Sequence, residues 1–270
     1  FERVLPEDGT AVVNTDDPMG PEIVAIAEGR GCDILSVGRD SEAALRLIAQ
    51  RFDVTGQELR FSWNGEARQV RLPLIGGFQA ENALVAAALC IGTGADPQEV
   101  FDTLPMLETV RGRMQFAARR DNKAAVFVDY AHTPDALATA LKAIRPHVLG
   151  RLIVVFGAGG DRDKGKRPLM GRAAMDHADV IFVTDDNPRS EDPDLIRREI
   201  IGGIVSGEYT EVGDRAEAIL RAVDALGAGD TLLIAGKGHE TGQEIGDAIL
   251  PFDDVEQASV AVAALDGKGL

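Results

Sequence analysis

The chain has 270 residues, of which 45% are hydrophobic and 27% charged. This composition is typical of a globular protein of about two domains and excludes a disordered or fibrous chain. Lys and Arg total 28 against 44 Asp and Glu, and the net charge of −16 argues against nucleic-acid and membrane partners, which need a basic face. The two cysteines favour a cytoplasmic protein over a disulfide-bonded secreted one. Because the chain begins with Phe1 and shows no signal-peptide pattern, we expect it to be part of a longer protein.

The first hundred residues predict a mixture of strands and helices. In chain order these are an apolar strand at 11–14, a helix at 21–28, two alternating strands at 59–63 and 70–74, and helices at 82–91 and 97–104. Asn64-Gly65 lies between the two alternating strands and is the strongest short-range signal of a β-hairpin.

From about Val110 onward, short apolar runs alternate with helical patterns. The runs cover 126–129, 152–156, 180–184 and 231–235, and the helices cover 134–144, 168–177, 193–205, 215–226 and 254–265. Such alternation predicts an α/β fold whose mostly parallel sheet is covered by helices. We therefore expect a boundary near residue 110, with one domain over 1–109 and another over 110–270.

Polar, glycine-rich segments follow the four predicted strands of the second half. They cover 129–134, 157–167, 185–189 and 236–240. Since the carboxyl ends of parallel strands meet at one edge of a sheet, these segments predict a ligand site there. Cations are frequent in them although the chain is acidic, which favours an anionic ligand over the alternative of merely solvated loops. The cations are Arg162, Lys164, Lys166, Arg167, Arg189 and Lys237.

Asp186-Asn187-Pro188-Arg189 combines an anion and a cation. The proline restricts Asn187 to an extended conformation, which aims Arg189 in a defined direction. A guanidinium there can bind a carboxylate and Asp186 can accept from an ammonium group, so the pair suits an amino acid. The segment also precedes a helix, and capping that helix is compatible with binding an amino acid.

Two common nucleotide motifs do not fit the glycine-rich segment at 157–167. It reads G-x-x-x-x-G-K, but Arg167 replaces the hydroxyl residue that would hold Mg²⁺ in a P-loop. It also lacks the third glycine of the dinucleotide fingerprint. His132 and His239 fall in the strand-end segments, but no Cys, His or Asp spacing around them resembles a metal site, so we expect none in this chain.

The polar segments after the predicted strands closely resemble the corresponding segments of the Mur ligases. The resemblance rests on the segments 129–134, 159–168, 185–189 and 236–240, with further similarity at 76–89 and 110–114. It implies three domains: an N-terminal one, a central α/β ATPase, and a Rossmann-like C-terminal one. This chain would hold the second half of the central domain and the whole C-terminal domain.

The resemblance also implies an activity. The ligases that add the third peptide residue use ATP and Mg²⁺ to join an amino acid to UDP-N-acetylmuramoyl-L-alanyl-D-glutamate through an acyl phosphate. In this family Asp-Asn-Pro-Arg goes with meso-diaminopimelate. The residues matched to diaminopimelate contacts are Arg162, Asp186, Asn187, Pro188, Arg189, Gly236 and Glu240. Those matched to ATP contacts are Asn82, Arg113, Asp129 and His132, while Gln79 departs from the asparagine of many relatives.

The 270 residues contain no Gly-Lys-Thr or Gly-Lys-Ser. The family's Mg²⁺ ligands and carbamylated lysine also find no match and are expected upstream of Phe1. We therefore expect no catalytic residues in this chain and no ligase activity from it alone. Two alternatives stay open: a lysine-adding or folylpolyglutamate-synthase-like ligase, and a non-catalytic binding module.

Overall fold

A computed structural model describes residues 5–6 and 8–267 of the chain. The chain divides into two compact units, a first unit over residues 1–108 and a second unit over residues 109–270. Among the described residues, every helix falls short of the length and apolar character needed to cross a membrane.

The first unit is a five-stranded sheet with helices packed on it. Its strands, in spatial order, are β1 (Thr10–Asn14), β2 (Asp33–Gly38), β3 (Leu45–Asp53), β4 (Gly56–Trp63) and β5 (Glu66–Leu72). Its helices are α1 (Gly20–Gly29), α2 (Phe78–Gly92) and α3 (Pro97–Thr103). The strands β1 to β3 are parallel, and β3 to β5 are antiparallel.

Local sequence explains the ends of these elements. Asn64 and Gly65, between β4 and β5, have φ angles of 47° and 84°, the positive values that a two-residue hairpin turn of the primed type requires. The Asp96 carboxylate accepts hydrogen bonds from the N–H groups of Gln98 and Glu99, which starts α3. The core of the unit lies between the sheet and α2, around Leu84.

The second unit is a six-stranded sheet with helices on it and a separate two-stranded hairpin. Its strands are β6 (Gln115–Arg119), β7 (Ala125–Asp129), β8 (Leu152–Phe156), β9 (Val180–Val183), β10 (Tyr209–Glu211) and β11 (Thr231–Ala235), in the spatial order β10-β9-β8-β11-β7-β6. The hairpin is β12 (Gly242–Ile245) with β13 (Ala248–Pro251). The helices are α4 (Pro134–Ile144), α5 (Lys166–His177), α6 (Pro193–Ile201), α7 (Arg215–Asp224) and α8 (Asp254–Leu265).

All strands of the six-stranded sheet except β6 run parallel. Every residue of β7, β8 and β11 is buried, because helices cover both faces of the sheet's centre. The predicted α/β fold with a mostly parallel sheet is confirmed. The helix boundaries differ slightly from those predicted, since α2 begins at Phe78, α5 begins at Lys166 and α6 ends at Ile201.

Candidate substrate-binding site

A cavity of about 380 Å³ lies in the second unit where the parallel strands end. Residues that follow β7, β8, β9 and β11 contribute to its wall, as the sequence predicted for this edge of the sheet. The lining residues are Tyr130, His132, Thr133, Gly159, Arg162, Asp163, Lys166, Asp186, Asn187, Arg189, Gly236 and Glu240.

The cavity carries charges of both signs. Its cations are Arg162, Lys166 and Arg189, and its carboxylates are Asp163, Asp186 and Glu240. Burial lowers the pKa of Lys166, while the nearby Asp186 and Asp163 carboxylates oppose that shift. A balanced set of fixed charges favours a ligand that itself carries ammonium and carboxylate groups.

The segment after β9 is held in place by hydrogen bonds to a buried lysine and to Glu240. Lys237 is completely buried, and its Nζ donates to Asn187 Oδ1 at 2.7 Å and lies 3.3 Å from Glu240 Oε2. Asn187 Nδ2 in turn donates to Glu240 Oε2 at 2.9 Å. This triangle fixes Glu240 at the cavity wall and neutralises the charge of Lys237 within the protein.

Two glycines allow the strand-end segments to approach each other. A Cβ on Gly236, whose φ is +118°, would lie 2.5 Å from Asp186 Oδ2. A Cβ on Gly160 would lie 1.9 Å from the carbonyl oxygen of Pro188. Any side chain at these positions would therefore push the Asp186 segment away from its neighbours.

The Arg189 guanidinium lies across the segment after β8. Its Nη1 donates to the carbonyl oxygen of Gly160 at 2.9 Å, and its Nε pairs with Glu244 Oε2 at 2.5 Å. Arg189 itself has a φ of 51°, an uncommon left-handed conformation for a residue with a Cβ. A residue with a Cβ keeps this conformation only where the surrounding contacts hold its backbone.

Two cations of the 157–167 segment, Lys164 and Arg167, do not line the cavity. The Arg167 side chain is fully buried and pairs with Glu191 at 2.8 Å and Glu199 at 2.6 Å, and Lys164 also pairs with Glu191 at 2.8 Å. The sequence pattern could not separate these scaffold cations from Arg162 and Arg189, because both kinds occur in the same polar segments.

The residues matched to diaminopimelate contacts all line the cavity except Pro188. The Pro188 carbonyl accepts a hydrogen bond from the Glu191 N–H, so this residue shapes the turn that leads to α6. Lys166, predicted as one of the cations at this edge of the sheet, also lines the cavity. Tyr130 and Asp163 line it as well, although no sequence motif matched them to a ligand contact. The signal for these two was that they belong to the polar segments that follow β7 and β8.

The residues matched to ATP contacts occupy different environments. The Arg113 guanidinium lies 5.0 Å from the ring centroid of Tyr130, and the His132 ring lies 4.5 Å from it. Arg113 and His132 are exposed and Tyr130 is half-buried, so the three side chains form a partly exposed cluster. Asp129 is buried, and its two carboxylate oxygens accept from the N–H groups of Met114 at 2.8 Å and Ala131 at 2.9 Å. Burial raises the pKa of Asp129, against the effect of these two hydrogen bonds.

Asn82 belongs to the first unit. It lies exposed near the beginning of α2, and its Nδ2 donates to Gln79 Oε1 at 3.4 Å. Within the described parts of both units, no group of three or more His, Cys, Asp or Glu side chains is arranged to hold a metal ion.

Two protein-family models match the chain. The Mur ligase middle domain matches residues 1–90, and the Mur ligase, glutamate ligase domain matches residues 112–238. This α/β chain thus matches the models of two successive domains of one ligase family. A UDP-N-acetylmuramoyl-L-alanyl-D-glutamate–2,6-diaminopimelate ligase of Zymomonas mobilis is 50% identical over 97% of this chain, and that of Bradyrhizobium diazoefficiens is 48% identical over 98%. The chain belongs to the Mur ligase family.

Solved structures agree with this assignment. A UDP-N-acetylmuramoyl-L-alanyl-D-glutamate–2,6-diaminopimelate ligase superposes with a TM-score of 0.76 at 38% identity, over 95% of this chain and 53% of that one. A Mycobacterium tuberculosis folylpolyglutamate synthase shares the fold, with a TM-score of 0.62 at 19% identity over 96% of this chain and 55% of that one. The chain spans 54% of the length of the Zymomonas and Bradyrhizobium relatives.

Proposed function

We propose that this chain binds meso-diaminopimelate as part of an ATP-dependent amide ligase. The whole enzyme would add this amino acid to UDP-N-acetylmuramoyl-L-alanyl-D-glutamate in the synthesis of peptidoglycan precursors. The observation that carries the proposal is the paired charge of the cavity, where Arg189 and Asp186 lie on one segment and Glu240 faces them. The names of the relatives in Zymomonas and Bradyrhizobium support it.

The reaction would proceed in two steps. The D-glutamate carboxylate takes the γ-phosphoryl group of ATP, which gives an acyl phosphate and ADP. An amine of diaminopimelate then attacks the acyl carbon and loses a proton, phosphate leaves, and the amide bond forms.

The part of this chain is to hold the attacking amino acid. Arg189 would bind the distal carboxylate, and Asp186 and Glu240 would accept hydrogen bonds from the ammonium group beside it. A substrate fixed at its distal end presents its other amine in one direction, which is the main contribution that positioning makes to such a reaction.

We assign residues 1–109 to the C-terminal part of the central ATPase domain and residues 110–270 to the amino-acid-binding domain. For ATP, the partly exposed cluster of Arg113, Tyr130 and His132 fits a nucleotide, since it offers aromatic rings and the Arg113 guanidinium. Asp129 would act by holding the Met114 turn. Among the described residues, no group of three or more His, Cys, Asp or Glu side chains is arranged to hold Mg²⁺.

Lysine-adding and folylpolyglutamate-forming ligases are the alternatives within this fold. Lysine lacks the distal carboxylate, so it would leave the Arg189 guanidinium without its ligand partner. Substrate choice therefore separates these possibilities.

Calorimetric titration of the chain with meso-diaminopimelate and with L-lysine tests the proposal. We expect diaminopimelate to bind selectively, and Arg189→Ala to weaken that binding by about tenfold or more, the loss expected for a charge-assisted contact. Arg172→Ala, which removes an exposed cation of α5, is the matched control. Equal binding of both amino acids, or no binding to either this chain or the full-length gene product, would overturn the proposal.

A further inference from the structure

The β12–β13 hairpin stands outside the six-stranded sheet, yet it is bonded directly to the site. Gln243 Nε2 donates to the carbonyl oxygen of Asp186 at 2.8 Å, and the Glu244 N–H donates to Asn187 Oδ1 at 3.0 Å. Both acceptors belong to the segment that carries Arg189. The hairpin therefore forms an outer support of the candidate site.

The backbone of Arg189 pairs with the hairpin as the backbone of a neighbouring strand would. Its N–H donates to the carbonyl oxygen of Glu244 at 3.1 Å, and its own carbonyl accepts from Gly246 N–H at 2.8 Å. These two bonds hold the left-handed backbone of Arg189, whose φ is 51°. They are made by main-chain atoms, so they do not depend on which side chain is present at position 244.

The Glu244 side chain adds a separate contact. Its Oε2 lies 2.5 Å from Arg189 Nε, while the Gly160 carbonyl oxygen accepts a hydrogen bond from Nη1 on the other side of the guanidinium. Among the described residues, Nη2 of Arg189 has no hydrogen-bond partner, and Arg189 lines the cavity. The guanidinium is thus held by a hydrogen bond at Nη1 and an ion pair at Nε, and it offers its remaining donors to a ligand.

We propose that Glu244 is a positioning residue that sets amino-acid selectivity through Arg189. The proposal rests on the function proposed above. By fixing Nε, Glu244 orients the guanidinium so that it meets a carboxylate at one place, and only a substrate with a distal carboxylate benefits. Glu244 itself touches Arg189 rather than the substrate, so its loss should affect diaminopimelate and leave lysine unaffected.

Steady-state kinetics of the full-length gene product tests this selectivity. We expect Glu244→Gln to raise KM for meso-diaminopimelate about tenfold, with KM for ATP and the residual rate with L-lysine unchanged. Asp247→Asn is the matched control, because it makes the same acid-to-amide change at the exposed tip of the hairpin. In an Arg189→Ala background, Glu244→Gln should have no further effect. An equal rise in KM for both amino acids, or an additional effect in the Arg189→Ala background, would overturn the proposal.

A second measurement does not depend on activity. NMR relaxation gives the order parameter of the Arg189 Nε–H group, whose signal is assigned by its loss in Arg189→Lys, and it should be high in the wild type and in Asp247→Asn. In Glu244→Gln the order parameter should fall, because the guanidinium has lost its ion pair, and an unchanged value would show that Glu244 does not hold the guanidinium. A wild type that ligates no diaminopimelate would instead refute the proposed function, whatever the NMR signal shows.

Discussion

Lys237 is a buried cation whose partners are both in the candidate site. Replacing it by Met keeps the apolar stem but leaves Asn187 Oδ1 and Glu240 without the ammonium group that joins them. We expect Lys237→Met to lower the free energy of unfolding by about 2 kcal/mol, because polar groups at a buried site lose a charged partner. Urea unfolding of the chain measures this.

Lys142→Met on α4 is the control for this change, since Lys142 is exposed. It should alter the free energy of unfolding by less than about 0.5 kcal/mol. If Lys237→Met proved equally mild, the buried ammonium group would not be holding the Asn187–Glu240 contact.

Glu191 makes stability depend on pH. Its hydrogen bonds with Arg167 and Lys164, and one from the Asp161 N–H, lower the pKa of Glu191 from its ordinary 4.5 to about 2. A carboxyl group with a lowered pKa in the folded state stabilises the protein above its ordinary pKa, and that contribution is lost as pH falls toward the lower value. Glu191→Gln should therefore be less stable than the wild type at pH 6, with the difference shrinking between pH 4.5 and pH 3.

Urea unfolding of both proteins across this pH range measures the difference. Glu208→Gln, at an exposed position, should instead track the wild type at every pH. A gap between wild type and Glu191→Gln that stays constant down to pH 3 would contradict the role given to the Glu191 carboxylate.

At the scale of elements, α7 and α8 are joined by a fully buried ion pair. Arg215 Nη2 lies 2.7 Å from Asp254 Oδ2, both side chains are completely buried, and Arg215 also donates to the carbonyl oxygen of Ala235. We expect Arg215→Met to cost about 3–5 kcal/mol of unfolding free energy, because Asp254 is left as an unpaired buried charge.

The double variant Arg215→Met with Asp254→Leu should recover much of that loss, since an apolar pair leaves no unpaired charge. Arg221→Met removes an exposed cation of the same helix and should cost less than about 1 kcal/mol. Urea unfolding distinguishes the three variants. A double variant as unstable as Arg215→Met would argue that packing, not charge, dominates at this junction.

The elements that the sequence predicted best are the ones that bury most of their surface. The strands β7, β8 and β11 are continuous apolar runs, and such runs are typical of the central strands of a parallel sheet that helices cover on both faces. The strands β3 and β6 escaped prediction because their residues alternate irregularly, and each contains a register shift. The strand β10 has only 3 residues, too few for any periodicity to be visible.

The candidate site shows the same limit. Arg162 and Asp186 could be selected from the sequence because they belong to polar segments that follow buried strands at an edge that parallel topology defines, and Glu240 was selected by its match to a Mur ligase motif. Gln243 and Glu244 could not, since the hairpin that carries them has every residue of β13 exposed. Its one signal is Gly246-Asp247, a pair typical of hairpin turns but weak between such short strands.

At the scale of the molecule, an acidic chain keeps a site for a ligand of mixed charge by pairing most cations internally. Arg167, Arg215 and Lys237 are all completely buried and all contact carboxylates. Their positive charge is therefore neutralised by carboxylates of the protein itself. Arg162, Lys166 and Arg189 are the cations that line the cavity, where acidic side chains balance them. Net charge alone, at −16, would have suggested a cationic ligand.

Every residue that lines the cavity belongs to the second unit, residues 109–270. That unit also contains the hairpin and the buried pair between α7 and α8, so it carries the supports of the site as well. If these local contacts suffice to form the site, residues 109–270 expressed alone should bind meso-diaminopimelate with a dissociation constant within about threefold of that of the whole chain. Calorimetric titration of both proteins measures this, with residues 1–108 as the control that should bind none. A shortened protein that folds cooperatively but binds more than about tenfold more weakly would show that the first unit contributes to recognition, and the site would then have to be sought in both units together.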